Sequence, residues 1–169
     1  MIASPFDSDA PMGSRRAVIR READELEMVE LAWGLKPSAP EARPFRFVRS
    51  EGREFSTHRC LVPASEFHVT QDKRRYRFTL EDRNWFYLAG VWRPACAGWP
   101  ESYAIVTVAA NPEVARYQDR QGAVLLRRQR MDWLDGAVPE VDLLQPLPAR
   151  TFSVEEIVGK GGAQKILAF

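Results

Sequence analysis

Two neighbouring segments restrict this chain to a fold based on β-sheet. Arg74–Leu80 alternates basic or polar residues with aromatic and aliphatic ones, whereas Trp85–Trp92 is almost entirely apolar. Period-two alternation is typical of a strand with one buried face, and a short continuous apolar run between turn residues is typical of a strand buried on both faces. We therefore predict a β-hairpin with a turn at residues 81–84 and a second strand that lies centrally in the sheet.

The other structured segments are also short. Asn111 and Pro112 are suited to the N-cap and first turn of a helix, Gly136 is suited to end one, and Pro63 marks a bulge, a bend or an edge within a strand. No βαβ alternation is present, so we predict an α+β fold with two or three short helices. The expected strands are 16–22 and 26–34 (paired as a hairpin), 45–49, 58–70, 102–110, 123–126 and 151–157, and the expected helical segments are 112–118, 127–134 and 138–144.

The length of 169 residues corresponds to one domain. Residues 1–14 are rich in Ser, Pro, Asp and Gly without periodicity, so we expect a flexible leader outside the core. The domain is then expected to span residues 15–158, and the Gly-rich residues 159–169 to form a loosely ordered tail.

Cysteine and histidine are scarce. The spacing of His58, Cys60, His68 and Cys96 fits no zinc finger or ribbon, so no metal is expected, and two cysteines cannot form a framework of several disulfides. Nucleotide-binding and metalloprotease motifs are missing from the sequence, so we expect no cofactor. Without a signal sequence or an apolar membrane span, we expect a cytoplasmic monomer, and a net charge of +1 argues against bulk attraction to nucleic acid or membrane.

Four features could carry chemistry. Glu66 and His68 lie two residues apart in a predicted strand, which places them on one face either as an acid/base pair or as part of a solvated surface. Cys60 is either a nucleophile activated by neighbouring basic residues or a small buried hydrophobe. Asp119-Arg120 is either a local ion pair or an anion site, and the arginines of Arg74–Leu80 either bind single-stranded nucleic acid or form a solvated face.

Several short motifs, none specific alone, occur in an order that resembles the SOS response-associated peptidase (SRAP) family. The resemblance runs from about Arg16 to Leu147 and implies an α+β fold with a β-barrel-like core and a basic groove for single-stranded DNA. The motifs are Val18-Ile19, Trp33-Gly34-Leu35, Phe47–Glu51, Arg59–Ala64, Leu88–Trp92, Val106-Thr107 with Asn111, and Asp119-Arg120.

The resemblance also implies a reaction. Members of the family trap abasic sites through a cysteine that is exposed when the initiator Met is removed, assisted by Asn, Glu and His residues. In this chain the corresponding positions hold Ile2, Phe47, Val69 and Gln118, and Thr70 replaces a base-stacking Trp. Arg49, Thr107 and Arg120 match retained DNA-binding positions. A bulge at residues 63–65 would shift the strand by one residue and allow Glu66 and His68 to substitute as catalytic groups.

Three functions fit these observations. The first is a divergent SRAP-like protein of the DNA damage response that binds single-stranded DNA, including abasic sites, with a degenerate catalytic site. The second is an active crosslinking enzyme whose true N-terminus is missing from this sequence. The third is a non-catalytic interaction domain that uses the groove for another partner.

Overall fold

A computed structural model of the protein describes residues 4–158 and shows a mixed, sheet-dominated fold with few helices. Within this range the chain forms eleven strands and two short α-helices, supplemented by 3-10 turns at Val114–Arg116 and Arg127–Gln129. The elements are β1 (Ser4–Phe6), β2 (Arg15–Glu22), β3 (Glu25–Trp33), β4 (Phe47–Arg49), β5 (Arg59–Gln71), β6 (Arg74–Leu80), β7 (Phe86–Arg93), β8 (Ser102–Ala109), β9 (Arg120–Gly122), β10 (Val124–Leu125), α1 (Arg130–Asp135), α2 (Glu140–Leu143) and β11 (Phe152–Glu156).

The strands pair in the order β10-β7-β8-β3-β2-β5-β6-β11, and β5 also pairs with β7. Because of this extra pairing, β7, β8, β3, β2 and β5 form a closed ring. Most pairs are antiparallel, but β1 pairs with β5, and β3 and β4 pair with β8, in parallel. The prediction of an α+β fold with mostly antiparallel strands and few helices is confirmed, whereas the barrel-like core stays a prediction.

The predicted hairpin between β6 and β7 is wrong. Residues 67–71 of β5 pair with β6, while residues 59–64 of the same strand pair with β7. The two strands therefore follow one another along β5, and the turn at 81–84 connects them without pairing them. β6 instead forms its hairpin with β5 through Asp72 and Lys73, whose positive φ angles of 51° and 66° suit a two-residue turn that follows strand twist.

The hairpin formed by β2 and β3 is confirmed, with Ala23 and Asp24 in its turn at φ 49° and 66°. β7 is buried along all of its length except Arg93, as expected for a central strand. The helix predicted over 112–118 is wrong in extent, because only the 3-10 turn Val114–Arg116 forms. Asn111 nevertheless acts as a cap, since its Oδ1 accepts a hydrogen bond from the Val114 N–H at 3.0 Å.

The sheet has a core on each side. The first core contains Trp33, Phe67 and Phe78. The second contains Trp133, the buried residue of α1, and α1 packs against β5 there. Gly136 ends α1 in the left-handed conformation at φ 65°, as the sequence predicts.

The expectation that residues 1–14 lie outside the core is wrong for β1. Phe6 is buried in the first core, and β1 pairs in parallel with β5. Arg16 secures this segment, because its guanidinium donates hydrogen bonds to the carbonyls of Ser4, Pro5 and Pro63 at 2.6–2.9 Å. A Pro- and Ser-rich segment with no periodicity carries no local sign of this tertiary anchor. The tail predicted at 159–169 lies outside the described residues.

Candidate functional site

The middle of β5 contains an irregularity that decides which side chains face the first core. Before it Cys60, Val62 and Ala64 belong to that core, whereas after it Phe67 and Val69 do. The exchange of even for odd positions coincides with a register shift in the pairing with β1 between Ala64 and Phe67. A bulge is therefore present between Ala64 and Phe67, next to the predicted position at residues 63–65. It turns the side chains of Glu66 and His68 away from that core.

A cavity of about 380 Å³ lies beside this bulge, between β1, β4, β5, β8 and β9. Arg49, Thr107 and Arg120, which are distant in the sequence, all line it. The parallel pairing of β4 with β8 places Arg49 opposite Thr107, and the antiparallel pairing of β9 places Arg120 opposite Ala109. Two strand pairings thus bring the three predicted DNA-binding residues together, and His68 and Gln118 line the same cavity.

Arg120 is held by a bidentate ion pair. Its Nη1 and Nη2 donate to the two carboxylate oxygens of Glu51 at 2.7 and 2.8 Å, and Nη2 also donates to the carbonyl and Oγ1 of Thr107. These hydrogen bonds from Arg120 lower the pKa of Glu51 from 4.5 to about 2, so the carboxylate remains ionised at neutral pH. Asp119, the sequential neighbour, is not the partner of Arg120.

Arg49 is the exposed cation of the cavity. It is exposed at the end of β4, and its charge adds to the lowering of the pKa of Glu51. Within residues 4–158, Arg49 forms no ion pair. An exposed guanidinium without a carboxylate partner is available for an external anion such as phosphate.

Glu66 and His68 contact each other as the sequence predicts, at 2.5 Å between Oε2 and Nε2. The alternative of a solvated face is wrong, because their side chains are only 16% and 13% exposed. Arg77 donates to the same Glu66 oxygen at 2.8 Å. Burial opposes ionisation, but the hydrogen bonds from His68 and Arg77 hold the pKa of Glu66 below its ordinary value.

His68 lines the cavity, whereas Glu66 lies behind it. The Nδ1 of His68 accepts from Arg75 at 2.9 Å, and Arg75 in turn binds Asp7. A neutral imidazole that donates from Nε2 to Glu66 satisfies both contacts. Both ring nitrogens are thereby engaged, so this arrangement orients His68 within a charge network and leaves no free nitrogen for proton transfer.

The positions that depart from the family pattern hold side chains that do not ionise near neutral pH. Phe47 lines the cavity as an apolar ring, Val69 is buried in the first core, and Gln118 donates from Nε2 to the Arg120 carbonyl at 2.8 Å. Thr70 is exposed, and Ile2 lies outside the described residues.

For the two remaining candidates, Cys60 and the arginines of β6, the structure favours the structural interpretation over the functional one. Cys60 is fully buried, and burial raises the pKa of its thiol, which opposes the nucleophilic reading. Cys96 is a free exposed thiol. The arginines of β6 are matched by carboxylates, since Arg74 pairs with Glu156, Arg75 with Asp7, and Arg77 with Glu66 and Glu155.

Two further observations concern the described part of the chain. No three His, Cys, Asp or Glu side chains in residues 4–158 are grouped as metal ligands would be. No helix in this range is long and apolar enough to cross a membrane.

Sequence reasoning missed Phe6 and Ser8, which also line the cavity. Phe6 is the only aromatic residue among residues 1–14, and this was the available sign that the segment is anchored. Glu51 was recognised only as a kept motif residue, because its partnership with Arg120 spans 69 positions along the chain.

Comparisons with known proteins agree with this architecture. The chain resembles three crystal structures: one protein from Bordetella bronchiseptica (TM-score 0.71, 22% identity, 92% of this chain and 90% of that one), a phage-related protein from the same organism (0.69, 22%, 88% and 80%), and a protein from Bacteroides thetaiotaomicron (0.67, 19%, 86% and 74%). A search of curated sequences gave no match. The family profile named SOS response associated peptidase (SRAP) matches residues 7–160, which include every strand that builds the cavity except the first. The chain therefore belongs to the SRAP family.

Proposed function

We propose that this protein binds single-stranded DNA, including DNA with an abasic site, at the cavity and no longer performs thiol-based crosslinking. Family membership supports a role in the DNA damage response. The observation that carries the proposal is the convergence of Arg49, Thr107 and Arg120 on one cavity from three different strands. Cations aligned along a groove attract a phosphate backbone without requiring a base sequence.

Each cationic group has a distinct part in this proposal. Arg49 is exposed and supplies the primary phosphate contact, while Arg120 is oriented by Glu51 and Thr107 at the cavity wall. The apolar Phe47 and the core position of Val69 support the loss of chemistry, because neither side chain transfers a proton.

Replacing Arg49 with Ala is expected to weaken binding of a single-stranded oligonucleotide by about fivefold, since an exposed charged contact is worth roughly 1 kcal/mol. The salt dependence of the affinity is expected to become shallower, because one fewer counterion is released. Fluorescence anisotropy titrations at two salt concentrations measure both effects.

Arg128→Ala provides the matched control, because it removes the same charge from an exposed residue that does not line the cavity. Equal losses in the two variants would mean that only the overall charge attracts DNA. Absence of salt-sensitive binding by the unmodified protein would refute the proposed function.

The loss of crosslinking predicts that incubation with an abasic oligonucleotide yields no slowly migrating band on a denaturing gel. The reason is that the thiol of Cys60 is fully buried, the exposed thiol of Cys96 does not line the cavity, and the positions assigned to catalysis are apolar or hydrogen-bonded elsewhere. A covalent adduct detected by gel shift and intact mass would show that a reactive group remains.

A further inference from the structure

We infer that the cavity accepts one intact nucleobase of the bound strand. This base leaves the stack formed with its neighbours in the strand and stacks on the ring of Phe47 instead. This inference rests on the proposed function and specifies the part of the DNA that enters the cavity. It differs from recognition of the backbone alone, because the contacts involve the flat face and the polar edge of a base.

The apolar part of the cavity wall supports a base. Phe6, Phe47, Phe67 and Leu88 all line the cavity, so three aromatic rings and one aliphatic side chain form its surface. A nucleobase gains from such a surface, because its π-face stacks on aromatic rings and leaves water. A sugar with no base consists mainly of polar groups and gains far less from apolar walls.

Phe47 is prepared for stacking before DNA binds. Phe47 is 42% exposed, although phenylalanine is among the residue types most often buried. Trp33, which is buried, contacts the Phe47 ring in an edge-to-face arrangement with centroids 5.6 Å apart. This packing restricts the ring, so little conformational entropy is lost when a base stacks on it.

Polar atoms are available for the edge of the base. The Nε2 of Gln118 donates to the Arg120 carbonyl, and the Gln118 Oε1 has no hydrogen-bond partner within residues 4–158. Thr107 Oγ1 accepts from Arg120 at 3.1 Å and retains its hydroxyl hydrogen as a donor. One free acceptor and one free donor match base edges, which present both kinds of group.

The size and position of the cavity are also suitable. A volume of about 380 Å³ lies at the lower end of the range of roughly 300–1,000 Å³ for small-molecule pockets. Arg49 lies on the cavity wall beside Phe47, in the same short strand. A base inside the cavity would therefore leave its flanking phosphates near an exposed guanidinium.

The test compares two oligonucleotides with identical phosphate counts: a twelve-residue oligothymidylate and a twelve-residue chain of tetrahydrofuran abasic units. We expect the first to bind about tenfold more tightly, because stacking on an aromatic side chain is worth this much or more. Phe47→Ala and Phe47→Leu are both expected to remove this preference while leaving binding of the abasic chain unchanged. The Leu variant keeps an apolar side chain of similar size, so a loss of preference in this variant is not explained by misfolding.

Phe45→Ala is the matched control. Phe45 is 46% exposed and precedes Phe47 by two residues, but it lines a neighbouring cavity and not this one. Its variant is expected to keep the tenfold preference, whereas loss of the preference in Phe45→Ala to the same extent as in Phe47→Ala would overturn the inference.

The outcomes also separate the inference from the proposed function. If neither oligonucleotide binds, the proposed function fails. If both bind equally and the Phe47 variants have no effect, DNA binding stands but the base does not enter the cavity, and the inference is overturned.

Discussion

Substituting Trp133 with Ala is expected to lower the free energy of unfolding by about 3–5 kcal/mol, the range for removing a large aromatic side chain from a core. Trp133 is fully buried on α1, and its indole N–H donates to the Cys60 carbonyl at 2.9 Å. The Arg59 guanidinium lies 4.5 Å from its ring centroid and donates to its carbonyl. The substitution therefore leaves a cavity and removes the hydrogen bond to the Cys60 carbonyl, and it loosens the attachment of α1 to β5.

Thermal or urea unfolding measures this effect, and the melting temperature is expected to fall by roughly 10 °C for a chain of this size. Trp85→Ala is the control, since it deletes the same side chain from a half-buried position immediately before β7. Trp85→Ala should lower the free energy of unfolding by less than half as much as Trp133→Ala. Equal destabilisation by the two variants would contradict the importance of Trp133 for joining the helices to the sheet.

Arg120→Ala is expected to reduce the affinity for single-stranded DNA by about tenfold or more, because charge-assisted hydrogen bonds are worth roughly 1.5–3 kcal/mol. The loss exceeds that expected for Arg49→Ala for two reasons. The variant loses one cation, and it also releases the ionised carboxylate of Glu51, which lies two residues after Arg49 in the chain. Thr107 loses the donor that orients its hydroxyl.

Glu51→Gln separates these contributions. Removing the negative charge is expected to increase DNA affinity by about threefold, because the Arg120 charge is no longer neutralised and one repulsive charge is lost. The double variant should bind more tightly than Arg120→Ala alone. Anisotropy titrations of the four proteins form a double-mutant cycle. If Glu51→Gln binds as weakly as Arg120→Ala, the ion pair itself, and not the free cation, is what DNA requires.

Of the candidate acid/base pair Glu66 and His68, only His68 reaches the wall of the cavity. His68 is oriented by Glu66 and Arg75 at the cavity wall, but both of its ring nitrogens are already hydrogen-bonded. The bulge in β5 thus brings an imidazole to the site without providing a free proton acceptor. This geometry is consistent with a positioning role for His68 in ligand binding.

The comparison of β6 and β7 shows how far local sequence carries a fold prediction. Their alternating and apolar patterns correctly predict two strands, because side-chain period and burial are local properties of the chain. The same pattern does not identify their partner. Only the pairing of both strands with the long β5 reveals that they follow each other along one edge.

The candidate site also has some features that the sequence predicts and others that only the tertiary structure decides. The order of motifs was sufficient to predict that Arg49, Thr107 and Arg120 share a groove and that family catalytic positions are substituted. It could not predict that Glu51 neutralises Arg120, because that ion pair depends on side-chain distances across β4, β8 and β9. The role of β1 was missed for the same reason, since Phe6 is buried through contacts with distant segments, including β5 and Trp33 of β3.

Residue order therefore specifies the strands, the turns and the family of this protein, because these depend on periodicity, backbone preference and short motifs. The cavity, the bulge that turns Glu66 and His68 away from the first core and brings His68 to the cavity wall, and the exposed ring of Phe47 arise only after folding. They depend on pairing register and on contacts between distant segments, and a shift of one residue in β5 would exchange the buried and cavity-facing side chains.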